Sequence, residues 1–239
     1  MEINDAQLQL MKFNLDCLTT DEYGVNAFPI IVLIGKRKWG KSWIIKCIMY
    51  NLKKENFPCG IVIAPTDKLN KFYDDFIPKL FIHHEFDVNI LKMLFARQKY
   101  IIQKNEKRKE SGKKLIDPRI FLIMDDCMGW KDKWKNEEII KELFYNGRHY
   151  YIFFILSMQY WIGLAPDLRC NIDYVMLMAD YQHSNRKKLF EHYAGIFPNF
   201  EAFTKVFNEA TNDYKCMIID NRKSSNLLNE KLYWYKAED

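Results

Sequence analysis

The segment GKRKWGKS at residues 35–42 constrains the fold more than any other feature of the chain. It fits the pattern G-x-x-x-x-G-K-[ST], follows an apolar run at residues 28–34 and precedes an amphipathic stretch at residues 42–52. A strand, a glycine-containing loop and a helix in this order form a P-loop, whose backbone N–H groups surround a phosphate at the positive end of the helix. The sequence therefore predicts an α/β fold with a polyphosphate site at one edge of its sheet.

Each position of this loop has an expected role in binding ATP and Mg²⁺. The glycines let the backbone wrap the phosphates, Lys41 reaches the β and γ oxygens, and the Ser42 hydroxyl is a Mg²⁺ ligand. The variable positions are unusually basic, and two interpretations stay open: Arg37 contacts the γ-phosphate, or these side chains point to solvent or a neighbouring subunit. The predicted nucleotide-binding residues are Gly35, Lys36, Arg37, Lys38, Trp39, Gly40, Lys41 and Ser42.

Acidic and amide side chains follow two later strands. Asp125 and Asp126 come directly after the apolar run at residues 120–124, and Gln159 follows the run at residues 151–157. We expect Asp125 to hold Mg²⁺ through water, Asp126 to act as the base that polarises the attacking water, and Gln159 to sense the γ-phosphate. Asp126 stands where a longer Glu is commoner, so its reach is shorter by one methylene.

Short apolar runs alternate with longer amphipathic stretches, as in a mainly parallel sheet with helices on both faces. We predict one domain, with an N-terminal edge segment at 1–25, a core at 26–180, and C-terminal helices with an added strand at 181–239. The predicted strands are residues 28–34, 60–64, 120–124, 151–157, 174–178 and 215–220, with 233–235 added. The predicted helices are residues 42–52, 136–145 and 185–194, the last two closed by Gly147 and Gly195.

Residues 97–114 are the most basic part of the chain, with eight Lys or Arg against two Glu, a net +6 where the whole chain carries +5. We predict a long helix with a projecting charged end and a turn at Ser111 and Gly112. This segment either binds the phosphates of double-stranded DNA or is a solvated surface. The candidate DNA contacts are Lys104, Lys107, Arg108, Lys109, Lys113 and Lys114.

Arg148 and Arg169 each precede a predicted strand, so they lie at the sheet edge opposite their own P-loop. In a ring, either residue could reach the γ-phosphate of a neighbouring subunit as an arginine finger. Each could instead form a structural salt bridge.

The composition of the chain and the absence of certain motifs exclude several classes of protein. An apolar content of 49% excludes intrinsic disorder, and no apolar run reaches the roughly 18 residues of a membrane span. Six scattered cysteines indicate a reducing compartment. A GTPase is excluded because no N-K-x-D element follows the P-loop. A nucleotide kinase with a basic lid, another DNA-dependent ATPase or helicase, and a module that binds ATP without hydrolysis remain alternatives.

Five short segments occur in a specific order: GKRKWGKS, IAPT at 63–66, FLIMDD at 121–126, NGRH at 146–149, and SMQ at 157–159. In this order and spacing the chain resembles the genome-packaging ATPases of poxviruses, giant viruses and virophages, which belong to the FtsK-HerA superfamily. The resemblance spans residues 28–178. The Asp-Asp pair is compatible with the viral branch, whereas cellular members more often have Asp-Glu.

The resemblance implies a RecA-like P-loop NTPase of the ASCE type. It implies a homo-oligomeric ring, pentameric or hexameric, that assembles with capsid vertex proteins and pumps double-stranded DNA inward with ATP. Lys41 and Ser42 would bind nucleotide and Mg²⁺, Asp125 and Asp126 would form the Walker B pair, and Gln159 would be the sensor. Arg148 and Arg169 fall in segments that the family uses at subunit contacts. A cytoplasmic viral factory, and possibly the virion, would be the location.

Overall fold

The computed structural model describes residues 10–20, 27–160 and 164–238, apart from the side chains of residues 128, 130 and 131. Their strands are β1 Met11–Lys12, β2 Ile30–Ile34, β3 Gly60–Ile63, β4 Ile82–His83, β5 Ile120–Asp125, β6 Ile152–Met158, β7 Tyr174–Met178, β8 Cys216–Asp220 and β9 Leu232–Tyr235. Their α-helices are α1 Lys41–Lys54, α2 Asp67–Asn70, α3 Val88–Glu110, α4 Lys131–Trp134, α5 Glu138–Asn146, α6 Pro166–Arg169, α7 His183–Tyr193, α8 Phe200–Ala210 and α9 Leu228–Lys231.

The strands form one mixed sheet in the order β1-β9-β8-β7-β2-β6-β5-β3-β4. The six strands from β7 to β4 are mutually parallel, β8 is antiparallel to both its neighbours, and β1 is parallel to β9. The predicted mainly parallel α/β fold is therefore confirmed. Strand β2, which leads into the P-loop, lies between β7 and β6. The carboxyl end of β2 is therefore flanked by the carboxyl ends of two parallel strands.

The central strands are continuous apolar runs because both faces of the sheet are covered. In β2, Ile30, Val32 and Ile34 contact one core, and Ile31 and Leu33 contact the other. Helix α1 packs on the second core through residues such as Ile44 and Ile48, whereas α3, α5, α7 and α8 pack on the first. Helices thus cover both faces, as predicted.

The predicted strands and helices agree with the structure to within about two residues at most ends, the usual uncertainty of element boundaries. The prediction that Gly147 ends helix α5 as a glycine cap is wrong. Gly147 has a right-handed φ of −50° and continues into a short 3₁₀ turn, and the left-handed residue is Tyr151, with φ 59°. The chain therefore reverses into β6 four residues later than a glycine cap would require.

The described part of the N-terminal segment lies at the edge of the sheet. Met11 and Lys12 pair with Tyr233 and Trp234 of the added strand β9. Two-residue strands such as β1 and β4 carry too few residues for a periodic signal, so the sequence did not predict them. None of the described helices is both long enough and apolar enough to span a membrane.

Candidate active site

Three strand ends bring the predicted site residues together at one edge of the sheet. Ile34, the last residue of β2, pairs with Met158 of β6, and Asp125 of β5 pairs with Ser157 of β6. The P-loop follows Ile34, and Gln159 follows Met158. The P-loop, the two carboxylates and the amide therefore share this edge, as expected for parallel strands.

Two glycines of the P-loop are required by its geometry. A Cβ on Gly35 would lie 2.4 Å from the Cβ and Cγ of Met178, so only glycine lets the loop pass β7 so closely. Gly40, the residue before α1, has φ 86°, a left-handed conformation that glycine adopts without strain. Lys38 is also left-handed, with φ 68°, and its side chain is exposed.

Lys41 is the buried cation of the loop, with 9% exposure. Its ammonium donates hydrogen bonds to the carbonyl of Gly35 at 2.5 Å and to that of Lys36 at 3.1 Å. Burial lowers the pKa of Lys41, and the negative charges of Asp125 and Asp126 oppose that shift. The ammonium is thus held between the loop and the carboxylates, where a phosphate bound by the loop would meet it.

The basic residues at the variable positions lie in different environments. The ammonium of Lys36 forms an ion pair with Asp180 at 3.0 Å, and Asp180 also accepts a hydrogen bond from Asn185 at 2.9 Å. Lys36 therefore ties the loop to the segment that follows β7. Arg37 and Lys38 are exposed, in keeping with either interpretation left open by the sequence.

Asp125 is a buried carboxylate held by a residue that sequence reasoning missed. The Tyr73 hydroxyl donates a hydrogen bond to Asp125 Oδ2 at 3.0 Å, and Tyr73 is itself 1% exposed. Burial raises the pKa of Asp125, while the Ser157 and Tyr73 hydroxyls and the Lys41 charge act in the opposite direction. No pattern separates Tyr73 from its aromatic neighbours Phe72 and Phe76, so the sequence carries no signal for this contact.

Asp126 and Gln159 contact each other directly. The Gln159 amide Nε2 donates a hydrogen bond to Asp126 Oδ1. Asp126 has φ 54°, a left-handed conformation that is rare for a residue other than glycine and that clusters at functional sites. The structure thus places the predicted base and the predicted sensor next to each other, one residue beyond the metal-ligand candidate.

Arg148 lies at the opposite edge of the sheet, in the turn before β6. It lines a cavity of about 440 Å³ together with Ala27, Phe28, Pro29, His149, Tyr151, Asp173 and Arg222. Its side chain is exposed and makes no hydrogen bond or salt bridge to the described part of the chain. Burial raises the pKa of Asp173, and the charge of Arg148 acts in the opposite direction.

Arg169 has a partner within its own chain. It is half-buried at the end of α6, and its guanidinium lies 5.8 Å from the ring centre of Tyr193 at the end of α7. This cation–π contact gives Arg169 a structural role within its own chain.

The basic segment projects beyond the edge that carries Arg148. The buried Gln98 side chain donates hydrogen bonds to the carbonyls of Pro118 and Tyr150, which precede β5 and β6. Helix α3 continues 12 residues past Gln98 to Glu110, a length of about 18 Å. A basic lid over the nucleotide, as the kinase interpretation requires, does not fit a segment at the edge opposite the P-loop.

The end of α3 and the returning residues form an ordered basic arm, defined here as residues 104–114. Lys104 is half-buried against Tyr100, with 3.3 Å between its ammonium and the hydroxyl, and Arg108 Nε donates to the Lys114 carbonyl at 2.6 Å. Asn105 fixes the return of the chain through two hydrogen bonds to Ile116. The exposed cations of the arm are Lys107, Lys109, Lys113 and Lys114.

Residues 12–229 match the sequence profile of the poxvirus A32 protein family. The chain belongs to this family. An uncharacterized protein of Acanthamoeba polyphaga mimivirus is 46% identical over 237 residues, which cover 99% of this chain and 80% of that protein. An uncharacterized protein of Invertebrate iridescent virus 6 is 36% identical over 212 residues, covering 87% of this chain and 76% of that one.

A solved structure has the same fold as this A32-family chain. The genome packaging NTPase of Sulfolobus turreted icosahedral virus 2, in complex with AMPPCP, superimposes with a TM-score of 0.59 at 20% identity, covering 90% of this chain and all of that one. The resemblance to viral packaging ATPases inferred from the sequence is confirmed, and it extends past residue 178, where the motifs end. The A32-family chain is a P-loop ATPase.

Tyr73→Phe is expected to destabilise this A32-family ATPase by about 1.5–3 kcal/mol, because the variant removes the Tyr73 hydroxyl that donates a hydrogen bond to the buried Asp125 carboxylate. Urea unfolding without nucleotide measures the change. Tyr50→Phe removes the hydroxyl of a tyrosine that is 48% exposed and is the matched control. Equal unfolding midpoints for the two variants would show that the hydrogen bond to Asp125 contributes no stability.

Proposed function

We propose that this A32-family ATPase is a motor that uses ATP hydrolysis to move double-stranded DNA into a preformed viral capsid. The observation that carries the proposal is the match of residues 12–229 to a poxvirus protein family. The similar solved structure is described as a genome packaging NTPase, which supports the same assignment. The contact between Asp126 and Gln159 beside the P-loop supports hydrolysis rather than binding alone.

The site residues fit Mg²⁺ as well as ATP. Ser42 offers a hydroxyl and Asp125 a carboxylate whose Oδ2 is taken by Tyr73, and such oxygen donors suit a cation that keeps several waters. Mg²⁺, when bound with the nucleotide, neutralises charge that develops on the phosphates. In the proposed step Lys41 binds the β and γ oxygens, Gln159 orients the attacking water, and Asp126 accepts its proton.

The proposal includes a ring of five or six copies, in which Arg148 acts on the neighbouring subunit's nucleotide. Arg148 lies at the sheet edge opposite its own P-loop, so it is placed to act in trans. The Arg148 guanidinium is exposed, whereas the Arg169 guanidinium lies against the ring of Tyr193 in its own chain, and this difference supports Arg148 for the role.

The basic arm is the proposed contact with DNA. Contacts between lysines and phosphates do not depend on the DNA sequence, which suits a motor that must move DNA of any sequence. The arm extends from the same sheet edge as Arg148. DNA contacts and the arginine finger would thus lie on one side of the subunit. Action in the cytoplasm of the infected cell and at a capsid vertex is part of the proposal.

Replacing Lys107 and Lys109 with Gln is expected to weaken DNA binding and to reduce the slope of log K against log salt by about 0.9 for each phosphate that the variant no longer neutralises. Both side chains are exposed, so the fold is expected to be unchanged. Fluorescence anisotropy with duplex DNA over a salt series measures the slope. Lys92→Gln, an exposed lysine on the same helix, is the control. An unchanged slope would make the arm a solvated or protein-binding surface.

Triplex displacement tests translocation itself. A motor that moves along duplex DNA removes a third strand bound ahead of it, so we expect displacement that requires hydrolysable ATP and intact Lys41. Displacement that fails while ATP hydrolysis continues would contradict the motor. Separation of the two strands of the duplex would instead indicate a helicase.

A further inference from the structure

Three aromatic side chains form a cluster beside the P-loop, and no step of the proposed reaction uses them. Trp39 belongs to the loop itself, with its ring centre 5.4 Å from that of Tyr181 and 6.4 Å from that of Tyr214. Despite these contacts, Tyr181 is 76% and Tyr214 is 65% exposed. Large aromatic surfaces are therefore open at the phosphate site.

The cluster lies on the side of the P-loop where the base of a bound nucleotide is expected. The hydrolytic residues follow β5 and β6, on one side of β2, so the γ-phosphate lies on that side. Tyr181 follows β7 and Tyr214 precedes β8, and these two strands lie on the other side of β2. A nucleotide whose γ-phosphate points toward Asp126 extends its sugar and base toward Tyr181 and Tyr214.

The residues that precede the two tyrosines form ion pairs with other parts of the chain. Asp213 and Tyr214 are consecutive left-handed residues, with φ of 54° and 58°, and Lys236 forms an ion pair with Asp213 at 2.6 Å. Such strained backbone is found at ligand clamps. Tyr181 follows Asp180, whose ion pair with Lys36 joins this segment to the P-loop.

We propose that Tyr181 and Tyr214, supported by Trp39, hold the nucleobase of the bound nucleotide by stacking. Every base has a π-face, so stacking gives affinity for the base with little selection between one base and another. The inference rests on nucleotide binding at the P-loop, which is part of the proposed function. It does not rest on DNA translocation or on the ring.

Calorimetric titration of the full chain with Mg²⁺-ADP and with inorganic tripolyphosphate tests the stacking. Tyr181→Ala and Tyr214→Ala are each expected to weaken ADP binding by about 5- to 150-fold, the measured range for removal of one stacked aromatic. Tripolyphosphate has no base, so its affinity is expected to be unchanged. Tyr181→Phe keeps the ring and is expected to bind ADP like the wild type, as is the control Tyr100→Ala, an exposed tyrosine on α3.

Two outcomes would overturn the inference. Equal losses of affinity for ADP and tripolyphosphate would show that the cluster only supports the shape of the P-loop. Unchanged ADP binding in both Ala variants would place the base elsewhere. Neither outcome requires DNA or turnover, so failure of the stacking is distinguishable from failure of the packaging proposal.

Discussion

Arg148→Ala is expected to lower the rate of ATP hydrolysis by about 10³- to 10⁵-fold while leaving the affinity for ATP unchanged. Arg148 lies at the edge of the sheet opposite its own P-loop, and it has no hydrogen-bond or salt-bridge partner in the described part of the chain. An arginine finger stabilises the charge of the transition state in the neighbouring subunit. It does not hold ATP in the ground state, so the affinity for ATP does not depend on it. Steady-state hydrolysis and equilibrium binding of ATP separate the two effects.

Mixing two variants tests whether Arg148 acts on the nucleotide of a neighbouring subunit. Lys41→Ala subunits cannot bind nucleotide properly but retain Arg148, so adding them to Arg148→Ala subunits is expected to restore turnover. Arg169→Ala is the matched control, because Arg169 already contacts Tyr193 of its own chain. Full activity of Arg148→Ala, or a loss that Lys41→Ala subunits never restore, would contradict a finger supplied by the neighbour.

Asp126→Asn is expected to lower turnover by about 10²- to 10⁴-fold, because the amide cannot accept the proton of the attacking water. The side chain keeps its size, and the P-loop and Asp125 are untouched, so ATP affinity is expected to be retained. Single-turnover hydrolysis and calorimetric binding measure the two quantities.

Asp126→Glu is the control for the base assignment, since it keeps the carboxylate and adds only one methylene. We expect it to retain much more turnover than Asp126→Asn. Wild-type protein that binds ATP without hydrolysing it would identify a binding module, and an Asn variant as active as the wild type would remove Asp126 from the reaction.

The meeting of the P-loop, Asp125, Asp126 and Gln159 could be predicted because of a general property of parallel sheets. Each residue directly follows an apolar run, and the ends of parallel strands meet at one edge. The continuous apolar character of β2, β5 and β6 is therefore enough to bring these residues together, whatever the details of packing.

Contacts between distant segments could not be predicted in the same way. The Tyr73 hydrogen bond to Asp125 and the Lys36 ion pair with Asp180 join residues with no shared motif or period. The sequence also could not show at which edge of the sheet the basic arm lies. Helix α3 was predictable from its apolar spacing, but its direction depends on β4, a two-residue strand that ends at the P-loop edge.

ATP hydrolysis measured against both double-stranded DNA and protein concentration tests the central claim most directly. A packaging motor that works as a ring is expected to hydrolyse ATP faster when DNA is added, with a specific activity that rises with protein concentration as subunits assemble. A rate indifferent to DNA and strictly proportional to protein concentration would contradict the account.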